Sequence, residues 1–227
     1  TIVRGSTRRT YQKREITNLS KVEDPDFEGY PVGTIAGGVG NNIQIRTVGY
    51  APDVFYVYKQ VYDEQGKPIE GLYADLNKDG VISEADRYRY KKPEPDFFLG
   101  INSNLTYGNF DFGFVMRGSV GNYMYNNIYS NNGAYRSFMF PGYLTNVSPN
   151  VLETNFMNYQ LFSDYYMENA SFLRMENINF GYNVGGTFNE KANLRLNANI
   201  QNLFVITKYN GLDPEIASGI DNKFYPG

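Results

Sequence analysis

The 227-residue sequence contains no cysteine, no histidine and no tryptophan. Without cysteine there is no disulfide, no thiolate nucleophile and no cysteine-based zinc site. Without histidine the chain lacks the usual general base, the Ser-His-Asp triad and most transition-metal sites. Charge is also sparse. Only 20% of residues are charged and the net charge is −3. That balance argues against broad nucleic-acid binding, and it is low for a soluble domain, whose surface normally carries more Lys and Glu. No apolar run approaches the length of a transmembrane helix. This excludes helical spanning but not a membrane β-barrel, whose alternating strands average out as polar.

What the chain has instead is Tyr, Phe, Gly and Asn, with 21 Tyr and 16 Phe. Over 97–107, Phe97, Leu99, Ile101, Leu105 and Tyr107 alternate with Gly100, Asn102, Asn104 and Thr106. Gly108-Asn109 is a hairpin-type turn, after which Phe110, Phe112, Phe114 and Met116 alternate with Asp111, Gly113, Arg117 and Ser119. The pattern returns at Ile178, Phe180 and Tyr182, and again at Leu194, Leu196, Ala198 and Ile200, with a short connection over 185–192. These runs predict β-hairpins with one oily and one polar face. The segments 43–50 and 54–62 are β-rich with less regular alternation. The links at 108–109 and 185–192 are short, whereas 63–95 and 121–169 are long. Short turns on one side and long loops on the other are the habit of outer-membrane barrels, and Phe and Tyr on the oily face suit lipid interfaces. The competing architecture is a soluble β-sandwich with an exposed polar face. No heptad, helical repeat or domain-dividing linker is evident, and a short helix is expected over 83–90. The basic residues Arg4, Arg8, Arg9, Lys13 and Arg14 read as a solvated strand edge or loop. Thr1 and Gly227 are both expected to be cut ends of something longer.

One motif proposes a ligand. Asp75, Asn77 and Asp79 stand at positions 1, 3 and 5 of a calcium-type loop, with Gly80 at the sharp turn of position 6. Val81 can offer its carbonyl, Ser83 a hydroxyl or bridging water, and Asp86 a carboxylate at position 12. Asp86 is shorter than the usual Glu and reaches less far. The metal-free alternative is a turn held by Asx hydrogen bonds. Bound calcium here is expected to be structural, fixing a long loop that otherwise carries a large ordering cost.

Several segments together resemble a family. They are 42–45 (NIQI), 48–50 (VGY), 55–59 (FYVYK), 71–80 (GLYADLNKDG), 92–97 (KPEPDF), 109–111 (NFD), 118–119 (GS), 171–182 (SFLRMENINFGY), 201–209 (QNLFVITKY) and 211–215 (GLDPE). From about residue 40 onward they are similar, in order, to the C-terminal part of SusC/RagA-type TonB-dependent outer-membrane transporters. The resemblance implies an all-β fold, with antiparallel strands forming the C-terminal part of a transmembrane β-barrel with long extracellular loops. It implies that residues 1–227 are a partial barrel without the plug and final strand, and that the calcium loop 75–86 lies within a long loop. Barrels of this kind have about 22 strands. The resemblance further implies a Gram-negative outer-membrane location, a SusD-like lipoprotein partner, TonB acting through a plug, and import of oligosaccharides or peptides.

On that reading the candidate substrate contacts are Tyr123, Tyr125, Asn126, Tyr129, Tyr135, Arg136 and Phe140, because rings stack on sugar faces and amides bond hydroxyls. The alternative function is a soluble calcium-stabilised binding module of lectin or adhesin type. No enzyme is expected: no carboxylate pair stands in a defined context, and Gly37-Gly38-Val39-Gly40 lacks the Lys of a phosphate loop.

Overall fold

The computed structural model describes residues 2–11, 13–17, 28–36, 40–139, 146–187 and 192–221. The chain divides into two compact units. The first comprises Thr1–Gln12, Pro95–Gly121 and Ala170–Lys208, and the second Lys13–Glu94, Asn122–Asn169 and Tyr209–Gly227.

The first unit is one antiparallel sheet in the order Ile2–Tyr11, Phe97–Tyr107, Phe110–Val120, Phe172–Thr187 and Ala192–Thr207. Both hairpins fall where the alternation places them. Gly108 turns the first with φ +56°, a conformation that favours glycine. Register aligns the oily positions into rows. Leu105 stands opposite Phe112, Phe112 opposite Phe180, and Phe180 opposite Ala198. Aromatic residues collect at both ends of this face. Phe110 lies 4.5 Å from Tyr182 at one end, and Tyr11 lies 5.8 Å from Phe97 at the other. The face is open, with Tyr107 68% and Ile206 61% exposed. Phe97–Tyr107 has 11 residues, about 35 Å of strand. Tilted by ~45°, that projects to about 25 Å, the height of an outer-membrane barrel's apolar band.

The polar face carries the residues between these rows. A register shift between Met175 and Asn177 marks a bulge that turns Glu176 and Asn177 to the same side, where Glu176 meets Arg117. The long connections all begin and end beyond the row formed by Thr10, Phe98, Ser119, Phe172 and Thr207, whereas the 108–109 turn lies at the opposite end. The expected separation of short turns from long loops is therefore present. Among the described residues of this unit there is no second sheet, as a β-sandwich requires.

The long connections build a folded unit of their own. Tyr30–Thr34, Asn42–Arg46, Val54–Tyr58 and Arg87–Arg89 form a four-stranded sheet. Met167–Asn169, Tyr123–Asn126 and Ile220–Asp221 form a three-stranded one, with Tyr123–Asn126 central. Gln60–Tyr62 pairs with Pro68–Tyr73. The β-rich runs over 43–50 and 54–62 thus form short strands of this unit and are not part of the wall. Ile35, Ile43, Phe55, Val57, Tyr125, Phe156, Tyr166 and Ile220 make its core, and Tyr125 meets Tyr166 edge-on at 6.0 Å. Gly219 has φ +70°, and a Cβ there would come within 3.0 Å of the Phe55 ring, so this approach needs glycine. The expected helix over 83–90 is only a 3₁₀ turn, Glu84–Asp86, followed by the strand Arg87–Arg89.

Candidate functional site

Two places gather polar side chains: the polar face of the wall and the 75–86 loop. On the wall, Arg195 Nη2 donates to both carboxylate oxygens of Asp111, at 2.9 and 2.8 Å. The strand between them contributes Gly181, opposite Asp111 on one side and Asn197 on the other. A Cβ on Gly181 would lie 2.5 Å from Asp111 Oδ1, so glycine is what lets the ion pair cross the intervening strand. Beside it an amide ladder forms. Asn177 Nδ2 donates to Asn199 Oδ1 at 3.1 Å, and Asn199 Nδ2 donates to Asn179 Oδ1 at 2.5 Å. Gly113 leaves room for the Asn104 amide, which donates to Asn102 at 3.3 Å. The result is an open groove of about 600 Å³ with Asn104, Asp111, Asn179, Arg195 and Asn199 in its lining. Its donors and acceptors can meet hydroxyls, amides and water. The sequence showed this face only as polar. The signal for the groove was Gly113 and Gly181 standing among Asn and Asp on the same face.

In the 75–86 loop the side chains fold back over the turn. Asp75 accepts from the Lys78 and Gly80 amides at 2.6 and 2.9 Å. Asn77 Oδ1 accepts from Asp79 N at 3.0 Å, and Asp79 Oδ1 from Val81 N at 2.8 Å. Gly80 has φ +84°, as position 6 requires. Asp86 is fully buried. Its Oδ2 accepts from Ser83 N at 2.8 Å, and its Oδ1 from Leu76 N at 2.8 Å and Asn77 N at 3.4 Å. The Ser83 amide holds the Asp86 carboxyl below the ordinary aspartate value, burial opposes this, and the Leu76 and Asn77 amides add to it. Ser83 also caps the Glu84–Asp86 turn, accepting from Ala85 N at 3.3 Å. Among the described residues, no three Asp or Glu side chains come together as a metal-holding group. The Asx hydrogen bonds of the metal-free alternative are thus all present, and the oxygen donors of Asp75, Asn77 and Asp79 remain clustered at an exposed turn.

The described candidates Tyr123, Tyr125, Asn126, Tyr129, Tyr135 and Arg136 belong to the second unit. Tyr125 and Asn126 are fully buried, so neither presents a surface to a ligand. Tyr125 is packed in the core, and burial raises its phenol pKa far above the ordinary value. Asn126 caps the Asn127–Asn132 helix by accepting from Tyr129 N at 3.0 Å, and it donates to Glu168 at 2.8 Å. Tyr123 and Tyr129 are half-buried, with Lys91 Nζ 4.7 Å from the Tyr123 ring centre. Tyr135 is half-buried and Arg136 exposed, and Tyr135 donates to Asn155 at 3.5 Å. Phe140 lies outside the described residues. Of the described candidates, Tyr123, Tyr125 and Tyr129 come together at the core of the unit.

No protein-family model matches the chain. It is 40% identical over 224 residues to the TonB-dependent receptor SusC of Bacteroides thetaiotaomicron, covering 96% of this chain and 22% of SusC. It is 33% identical over 200 residues to the TonB-dependent receptor P3 of Formosa agariphila, covering 79% of this chain and 20% of P3. Among solved structures, that of the RagAB peptide transporter shares the fold at a TM-score of 0.67 and 21% identity, over 97% of this chain and 25% of the matched one. The RagAB peptide importer in its closed-closed state matches at a TM-score of 0.65 and 21% identity, over 97% of this chain and 25% of the matched one. The chain thus spans about a fifth of the length of the curated relatives it matches. An antiparallel wall with an open aromatic-edged face, and a likeness to SusC along nearly its whole length, lead to one conclusion: the chain belongs to the SusC/RagA-type TonB-dependent receptors of the Gram-negative outer membrane and forms part of such a receptor's β-barrel.

Proposed function

We propose that this chain supplies C-terminal barrel wall and extracellular structure to a TonB-dependent importer of oligosaccharides or peptides that works with a SusD-like surface lipoprotein. The observation that carries this is the two-sidedness of the sheet. One face offers aliphatic and aromatic side chains to lipid, and the other offers the Asp111–Arg195 pair and the amide ladder to an aqueous interior. Energy would come through TonB acting on a plug domain. The chain's own part is to bind and orient, and no bond-breaking chemistry is assigned to it. The test is uptake of labelled oligosaccharides and peptides by cells carrying the intact receptor as their sole importer. Uptake of at least one cargo class should fall to background when TonB is removed, and the receptor should co-purify with a surface lipoprotein. Uptake unchanged without TonB would refute the reading.

Calcium belongs to the same proposal as a structural ligand. The donors of the loop are all oxygen, which fits a hard divalent cation. Asp75, Asn77, Asp79, the Val81 carbonyl and Ser83 would hold it, while Asp86 frames the loop through the Leu76, Asn77 and Ser83 amides. Bound there, the ion would supply charge neutralisation and fix the loop. Calorimetric titration of metal-stripped receptor with Ca²⁺ should show binding. Asp75→Ala and Asp79→Ala should remove it, admit protease near Lys78 and weaken lipoprotein capture, leaving the barrel intact. Absence of heat at millimolar calcium, or unchanged capture in both variants, counts against the assignment.

A further inference from the structure

Charge is distributed unevenly over the two faces of the wall. Arg4 stands opposite Asn104, Arg8 opposite Gly100, Asp111 opposite Gly181 and Arg195 opposite Asn183, all on the polar face. The oily face carries one charge among the described strand residues. It is Arg9, opposite Leu99, in a row that continues through Gly118, Leu173 and Ile206.

The height of this charge on the wall matters. Tyr11 and Phe97 form the row beyond it, at the end where the long connections begin and end. A basic side chain on a barrel's outer face costs most at mid-height and least near the interfaces, and it snorkels toward the nearer one. The Arg9 guanidinium lies 4.6 Å from the Tyr11 ring centre and 4.3 Å from that of Phe97. The rings are 5.8 Å apart at 50° to each other, so they cradle the cation between them. Cation–π contact engages the faces of a guanidinium and leaves the N–H donors at its edge. Among the described residues, those donors meet no protein acceptor. Tyr11 is 69% exposed, and its hydroxyl adds a donor on a ring already against the cation. A planar fork of donors with a flanking hydroxyl matches a phosphate. Aromatic rings at the edge of an oily face stand at the level of lipid headgroups.

We propose that Arg9, Tyr11 and Phe97 form a docking site for the phosphate of a lipid in the outer leaflet. The inference rests on reading the long-connection end of the wall as extracellular. Intact receptor in neutral detergent is titrated with lipid A and with lipid A stripped of its phosphate, and bound lipid is counted by native mass spectrometry. The wild type should bind the phosphorylated lipid about tenfold tighter. Arg9→Gln should remove most of that preference. Arg4→Gln, the same loss of charge on the polar face of the same strand, should leave it unchanged. Millimolar inorganic phosphate should not displace the lipid, because acyl chains against the oily face add to its hold. Heat-modifiable mobility checks that each variant folds. Arg9→Lys, which keeps the charge and loses the fork, serves if Arg9→Gln does not. No preference in the wild type, full preference in Arg9→Gln, or equal losses in Arg9→Gln and Arg4→Gln overturns the proposal. Displacement by inorganic phosphate also overturns it, because the site would then take a free anion. So does an Arg9→Gln receptor that unfolds more readily with its preference intact, because Arg9 would then serve a neighbouring strand. The orientation is scored separately. Lys78→Cys, in a long connection, should react with an impermeant maleimide on intact cells. Reaction there without a lipid preference defeats the site alone. Reaction only in lysed cells defeats the orientation and the site with it.

Discussion

Replacement of Phe55 by alanine is expected to open the second unit while the barrel wall stays assembled. Phe55 is fully buried among Ile35, Ile43, Val57, Tyr125, Phe156, Tyr166 and Ile220, and the backbone at Gly219 and Pro93 lies close to this core. Truncating a buried Phe typically costs about 3–5 kcal/mol through lost transfer free energy and the cavity left behind. A domain's whole stability is only about 5–15 kcal/mol, so the change removes a large part of the unit's margin. The wall holds itself through its own ladders, each strand paired along most of its length. Limited proteolysis of the intact receptor, with fragments mapped by mass, measures the effect. Cuts should appear within 40–94 and 146–169, while peptides of the wall strands stay protected and heat-modifiable mobility is retained. An unchanged digest would mean that this core is not one cooperative structure. Loss of the wall as well would mean that the two units fold together.

That separation was only half legible in the sequence. The four wall strands from Phe97 onward were readable because each has one face for apolar and one for polar surroundings, so period 2 persists for the length of a membrane crossing, whereas Ile2–Tyr11 lacks the pattern and sets Arg9 opposite Leu99. Phe97–Tyr107 and Phe110–Val120 fall where the pattern places them. The second unit uses strands such as Gln60–Tyr62 and Pro68–Tyr73, too short to establish a period. Its Asn42–Arg46 strand buries Ile43, Gln44 and Ile45 in succession. Gln44 is accommodated because its Nε2 donates to the Ser218 carbonyl at 2.7 Å, far away in sequence. A polar residue satisfied by so remote a partner leaves no local signature.

The burial of some candidate site residues was hidden for the same reason. A run of Tyr and Asn has the composition of a glycan-binding surface and equally that of a hydrogen-bonded core. Only tertiary packing shows that Tyr125 and Asn126 belong to the second kind. The Asp111–Arg195 pair was hidden differently, because it joins two strands across a third and depends on a missing side chain at Gly181. The spacing of the 75–86 loop was legible, but the use of Asp86 was not. Its burial and its bonds to three backbone amides follow from how the loop closes.

The sharpest test of the two-sided wall is a pair of substitutions one residue apart. Ile200→Arg places a charge near the middle of the 16-residue strand Ala192–Thr207, on the face that carries Ile178 opposite it. Gln201→Arg places the same charge on the other face, opposite Asn177. In lipid, arginine at mid-height of a barrel's outer face costs about 2–4 kcal/mol. In an aqueous interior the same side chain keeps its hydration, and the effect should stay within about 0.5–1 kcal/mol of the parent, as for most exposed substitutions. Each 1.4 kcal/mol is about tenfold in the folded-to-unfolded ratio, so the two variants should differ visibly in urea unfolding of the intact receptor in vesicles. They should also differ in the folded fraction on unheated gels, with Ile200→Arg strongly depleted and Gln201→Arg close to the parent. Equal losses would mean that Ile200 does not face lipid. Greater damage from Gln201→Arg would invert the wall, placing the amide ladder against a surface that admits no charge.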